Sequence, residues 1–122
     1  MTRYPEPEAE QRPEGGVKHD DGKERHDLLP VDALEEISAI LAHGARQYGE
    51  RNWEKGIAFS RLYRALLRHI WAWWRRKGND KDTGRSHLAH AACCVLFLLV
   101  YELRHMDTFD DRCQDQGGNN VS

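Results

Sequence analysis

The twenty residues SHLAHAACCVLFLLVYELRH constrain the fold more than any other part of the chain. From Ala91 to Tyr101 every residue is apolar or a cysteine, so a helix here is apolar on nearly every side. Such a helix is central in a bundle or covered by another subunit. Its 11-residue apolar run is well below the roughly 18 residues that a bilayer span needs. Two titratable rings, His87 and His90, stand where this helix starts, about 60° apart in helical projection, so that both can converge on one point.

At 122 residues the chain is one domain, with a core small enough that oligomerisation would help to bury it. The formal charge of -2 hides an asymmetry: residues 31–106 hold 12 Lys/Arg against 8 Asp/Glu, whereas both ends are acidic. A basic centre in a near-neutral protein suits a local anion such as a phosphate better than a bulk nucleic-acid surface. The three cysteines, two of them adjacent at Cys93 and Cys94, fit neither a disulfide framework nor a C-x-x-C clip. The N-terminus MTRYPEPEAEQRPEGG has acids and prolines where a signal peptide needs an apolar core. The expectation is a soluble cytoplasmic protein with no membrane partner.

The only strong periodicity is helical, and it predicts an all-α bundle of three main helices completed by oligomerisation, a homodimer or homotetramer. Residues 1–17 read as a disordered tail, 18–106 as the domain and 107–122 as a flexible acidic tail. The first helix starts near Pro30 to Asp32 and ends near Gly49, with Asp32 and Glu35 at capping-box spacing. The second runs from Phe59 or Ser60 to about Lys77. Leu62, Leu66, Ile70 and Trp73 lie on its apolar face, and Arg61, Arg64, Arg68 and Arg75 lie opposite. The third runs from about Ser86 to Arg104, with Ser60 and Ser86 as N-caps of the second and third. Between them, GNDKDTG is a short turn carrying two exposed carboxylates, Asp80 and Asp82, and it makes the last two helices antiparallel neighbours.

The chemistry-bearing residues each have a plainer alternative. His87 and His90 are either metal ligands or boundary histidines, and His69, flanking the apolar face of the second helix, is either a third ligand or a hydrogen-bonded core residue. With Glu36 of the first helix they make a site of one carboxylate and three imidazoles. Mixed ligands of this kind suit Mn²⁺ or Zn²⁺ more than an all-oxygen Mg²⁺ cage. The arginine stripe is either a solvated face or, with Lys18, Lys23 and Arg25 of KHDDGKERHDLLP, a phosphate-binding surface; no Walker A pattern is present. In YGERNWEKG, Tyr48, Asn52 and Trp53 offer a ring and an amide for a base, while Trp53 reads equally as a core plug. Cys93 and Cys94 read as small core residues.

Four segments in order, KHDDGKERHDLLP, GARQYGERNW, SRLYRALLRHIWAWW and SHLAHAACCVLFLLVYE, resemble the phage branch of the MazG-like all-α nucleoside triphosphate pyrophosphohydrolases, the MazZ-type dATP/dGTP diphosphohydrolases. The resemblance covers about residues 18 to 102. It implies a metal-containing helical bundle that oligomerises and cleaves a (d)NTP between its α- and β-phosphates. The superfamily's metal motif is E-E-x-x-E on one helix and E-x-x-D on the next. Here Arg68, His69 and Ala72 stand where acids are usual, and His87 and His90 occupy the E-x-x-D positions.

The resulting expectation is a metal-dependent diphosphohydrolase that converts a purine (d)NTP, dGTP or dATP, to the monophosphate and pyrophosphate. By the resemblance it acts in the host cytoplasm, in the nucleotide-pool modification that serves 2-aminoadenine DNA. Glu36, His69, His87 and His90 hold the ion, Mn²⁺ or Mg²⁺ ahead of Zn²⁺. Lys18, Lys23, Arg25, Arg61 and Arg68 face the phosphates, Glu35 or Asp82 is the base, and Glu36 stands between the ligand and acid roles. The competing reading is a small helical module that binds single-stranded nucleic acid through the arginine stripe, which the acidic ends disfavour.

Overall fold

A computed structural model of the chain describes residues 15–115, so most of the expected N-terminal tail and residues 116–122 lie outside the described residues. Three α-helices carry the fold: α1 (Val31–Tyr48), α2 (Phe59–Trp74) and α3 (His87–Leu103). Short 3-10 turns lie at His26–Leu28, Asn52–Lys55 and Asp107–Phe109, and no strand occurs among the described residues. α3 is the middle element, packed most extensively on α2 and also on α1. No helix among the described residues is long and apolar enough to cross a membrane.

The helix ends depart from the sequence reading in three places. α1 is preceded by Pro30 as its N-cap residue, with no side-chain cap, so Asp32 and Glu35 do not form a capping box. Asp32 lies inside the first turn and accepts from the Ala33 amide at 2.8 Å, still a favourable place for a carboxylate at a helix N-terminus. Ser60 does not cap α2. It is the second helical residue, and its amide donates to the Asp111 carboxylate at 2.8 Å, so the cap comes from 51 residues downstream. α2 also stops three residues earlier than expected, because Arg76 turns left-handed (φ 57°) and the Lys77 amide donates back to the Ala72 carbonyl at 3.0 Å. Ser86 does cap α3, accepting from the Leu88 amide at 3.0 Å.

α2 and α3 are antiparallel and in register. Phe59 stacks on Tyr101 at one end and His69 on His90 at the other, with ten residues between the contacts on α2 and eleven on α3. The Phe59 end is the packing end. Tyr101 is fully buried, its hydroxyl donates to the Trp53 carbonyl at 2.5 Å, and Trp53 itself stacks on Phe97 at 4.2 Å. Downstream of α3, Phe109 closes this core over Gly56, whose φ of +112° and contact with the Phe109 ring leave no room for a Cβ. Cys93 and Cys94 are buried between the two ends, and burial and the neighbouring Cys94 push the Cys93 thiol up to about 12, so it behaves as a small core residue.

One chain does not cover α3 completely. Leu88, Val95, Leu99 and Leu103 recur on one face and are all at least 40% exposed.

Tyr101 is the residue on which the packing end converges. Tyr101→Phe leaves the Trp53 carbonyl to the Gly56 amide alone and is expected to cost about 1 kcal/mol of unfolding free energy, whereas Tyr101→Ala also opens a cavity and is expected to cost about 3–5 kcal/mol. Urea denaturation of the two variants checks this; equal midpoints for wild type and Tyr101→Ala would contradict the packing described.

Candidate functional site

The other end of the α2/α3 pair is polar. His69, one turn before the end of α2, faces the first turn of α3, where its Nδ1 lies 2.9 Å from Nδ1 of His87 and its ring stacks on His90 with centroids 4.5 Å apart and planes 12° apart. Two ring nitrogens at that distance cannot both present lone pairs unless a proton or a cation lies between them. α1 adds His43, whose charge acts on His90.

The connection between α2 and α3 supplies the carboxylate. Asp80 folds the turn around itself: its Oδ2 accepts from the amides of Asp82 (3.0 Å) and Thr83 (3.1 Å) and from the Thr83 hydroxyl (3.3 Å). The turn closes through Gly84, whose amide donates to the Asp80 carbonyl at 2.8 Å. These bonds turn Asp80 inward, half-buried, where the sequence reading had left it exposed; Asp82 does remain exposed. Thr83 Oγ1 also lies 2.7 Å from Nε2 of His90, and Asp80 Oδ2 lies 3.5 Å from the same nitrogen. The network is satisfied when His90 donates from Nε2 to Thr83 and Thr83 donates to Asp80. His90 is then a residue that positions the carboxylate.

Burial, with the charges of His90 and His87 adding to it, pulls the His69 imidazole below its usual range. Burial does the same to His90, against the opposing pull of Asp80. Burial works to raise Asp80, but the Thr83 amide, His90 and the Asp82 amide together outweigh it and hold the carboxyl below its ordinary value. At neutral pH the cluster therefore has an ionised carboxylate and, in His69, an unprotonated ring.

His69, Asp80 and His87 each offer one ligand atom, and these atoms all lie within 4.8 Å of one another. Ligand atoms around a four-coordinate ion stand about 3.3–3.6 Å apart at bond lengths of about 2.0–2.2 Å, so small side-chain movements close the set around a cation. Two imidazoles and one carboxylate suit a divalent transition ion such as Mn²⁺, Fe²⁺ or Zn²⁺ better than Mg²⁺.

The other sequence candidates are distributed unevenly. Glu36 does not join the converging group; it pairs with Arg85 at 2.9 Å and ties α1 to the turn just before His87. Arg68 is exposed beside His69 and its charge acts on it, whereas Arg61 lies two turns earlier on α2. Lys18 and Lys23 are exposed in the segment before α1, and Arg25 there chelates Asp27 through two bonds of 2.8–2.9 Å. Glu35 is exposed on the second turn of α1. Trp53 has one ring face occupied by Phe97, ten residues along α3 from His87, or about 15 Å along the helix axis. Tyr48, which ends α1, and Asn52 belong to that same distant end. The sequence reading saw Asp80 as an exposed acid of the turn with no site role and did not single out Thr83; the signal was the Asp-x-Asp-Thr-Gly spacing of an Asx-type turn.

Against known proteins, the family model for the N-terminal domain of dATP/dGTP diphosphohydrolases matches residues 13–112. A protein named dATP/dGTP diphosphohydrolase from Salmonella phage PMBT28 is 36% identical over 97 residues, which are 80% of this chain and 33% of that protein. The chain thus spans about one third of the length of this relative. No solved structure matches.

Folded His69 and His90 resist protonation, whereas the unfolded chain takes up protons near the usual histidine pKa of 6.5. The unfolded state then binds more protons than the native state as pH falls through that value, so native stability is full above it and declines below it. Metal-free protein is expected to show a lower urea midpoint at pH 5.5 than at pH 7.5, and His69→Gln with His90→Gln should flatten the difference. A midpoint that rises on acidification would contradict the assigned environment.

Proposed function

The chain belongs to the family of dATP/dGTP diphosphohydrolase N-terminal domains, and from that membership we propose that it is a metal-dependent hydrolase. It converts a purine deoxynucleoside triphosphate to the monophosphate and pyrophosphate. The observation that carries the proposal is the convergence of His69, Asp80 and His87 at one end of the α2/α3 pair. The name of the phage relative supplies the substrate class, dATP and dGTP.

When bound, the divalent ion supplies positive charge to the phosphates and activates water for attack. The chain's own residues do the rest. Asp80, held ionised by the Thr83 and Asp82 amides, provides the anionic ligand, and its three hydrogen bonds fix the direction in which it points. His90 holds the Thr83 hydroxyl that in turn holds Asp80. Arg68, exposed beside His69, neutralises charge on the departing pyrophosphate. Arg85, bridged to Glu36, fixes the end of the turn two residues ahead of His87. Asp82, exposed on the same turn as Asp80, is the proton acceptor, in preference to Glu35 on α1.

Incubation of the pure chain with each dNTP and Mn²⁺ tests this. The expected products are dAMP or dGMP with pyrophosphate, a chelator abolishes turnover, and His69→Ala or His87→Ala lowers kcat/KM by about a hundredfold or more. Release of orthophosphate in place of pyrophosphate, or turnover indifferent to both substitutions, would contradict the proposal.

A further inference from the structure

The largest concavity among the two most prominent ones of the described residues lies where α2 ends, with a volume of about 730 Å³, within the range of small-molecule sites. Trp73, Trp74, Arg76, Lys77, Asn79 and Ser86 line it. Its aromatic wall is exposed: Trp73 is 45% and Trp74 76% exposed, and their ring centroids stand 6.1 Å apart with the planes tilted by 49°. Large rings left in water at this cost mark a binding surface more often than a packing surface.

The polar wall is cationic. Neither Arg76 nor Lys77 enters an ion pair among the described residues, and no acid lines the cavity. Among the described residues Arg76 is also one of three non-glycine residues with positive φ, a conformation that ends α2 early and brings the two cations beside the tryptophans. Two lining residues are close neighbours of cluster residues along the chain. Trp73 is one turn beyond His69 on the same face of α2, and Ser86 immediately precedes His87.

From this juxtaposition we infer that the cavity is the nucleotide-binding subsite: a purine base stacks on the exposed Trp73 and Trp74 rings, and Arg76 and Lys77 hold its phosphates toward the His69/Asp80/His87 cluster. The base-recognition role then moves from the Tyr48–Trp53 turn, whose tryptophan is stacked on Phe97, to the near end of α2. Stacking on an indole needs a flat ring and a charged tail, which a purine nucleotide supplies and free pyrophosphate does not. This inference rests on the function proposed above for the substrate class, but not on turnover.

Isothermal titration with dGMP, dCMP and inorganic pyrophosphate, with chelator present so that no metal contributes, tests it. Wild type is expected to bind dGMP more tightly than dCMP. Trp74→Ala and Trp73→Ala are expected to weaken dGMP roughly tenfold while leaving pyrophosphate unchanged. Trp74→Phe is expected to restore most of the affinity, and Arg76→Ala with Lys77→Ala to weaken both ligands. Circular dichroism melting confirms that each variant is folded. Unaltered dGMP affinity in both tryptophan variants would overturn the subsite, even if dNTP turnover is intact. Absence of dGMP binding to wild type would overturn it as well, and salt-sensitive capture of a single-stranded DNA 20-mer in its place would favour the strand-binding reading of the α2 arginines. If dGMP binds as described and no dNTP is hydrolysed, the subsite stands and the proposed reaction fails.

Discussion

The antiparallel register of α2 against α3 is the constraint from which the rest of the structure follows. An α-helix advances a fixed 1.5 Å and 100° per residue, so fixing one contact between two packed helices fixes the others along the same face. Phe59 on Tyr101 sets that first contact, and its consequence ten residues along α2 and eleven along α3 is His69 against His90 and His87. The packing of an apolar end thereby positions polar side chains at the opposite end, with no need for the imidazoles to find one another.

The two ends divide the work. The Trp53, Phe59, Phe97 and Tyr101 rings, closed by Phe109 and capped through Asp111, contribute burial. The histidine end is polar and only partly buried, and desolvation keeps His69 and His90 below their usual pKa. The short turn between α2 and α3 supplies both the inward carboxylate and, before it, the tryptophan and cation cavity. The inward carboxylate, the hydroxyl that holds it and the tryptophan-lined cavity therefore lie within one segment of about twenty residues, from His69 to His90.

The helices were legible because hydrophobic periodicity reports directly on burial. α1 and α3 end within a residue or two of the sequence estimate, and α2 stops earlier only because a left-handed Arg76, which no propensity favours, ends it before Gly78. The imidazoles were legible because three histidines at the margins of two apolar faces point to the same seam. Asp80 was not, since a turn has no periodicity and the amides that swing the carboxylate inward are invisible until the turn is folded. For Glu36 the periodicity gives a place near the seam but not its partner, the Arg85 guanidinium of the turn before α3. Trp73 and Trp74 continue the apolar face of α2 in sequence, yet stand exposed because α2 runs on beyond the stretch of α3 that would cover them.

Binding of Co²⁺ to metal-free protein, followed by its visible absorption, tests most directly whether the His/Asp cluster is a metal centre. One ion per chain is expected, with the intense bands of a low-coordinate site containing nitrogen ligands, and affinity should fall at least about tenfold in Asp80→Asn and further in His69→Ala. Equal Co²⁺ affinity and spectra in wild type, Asp80→Asn and His69→Ala would contradict the account.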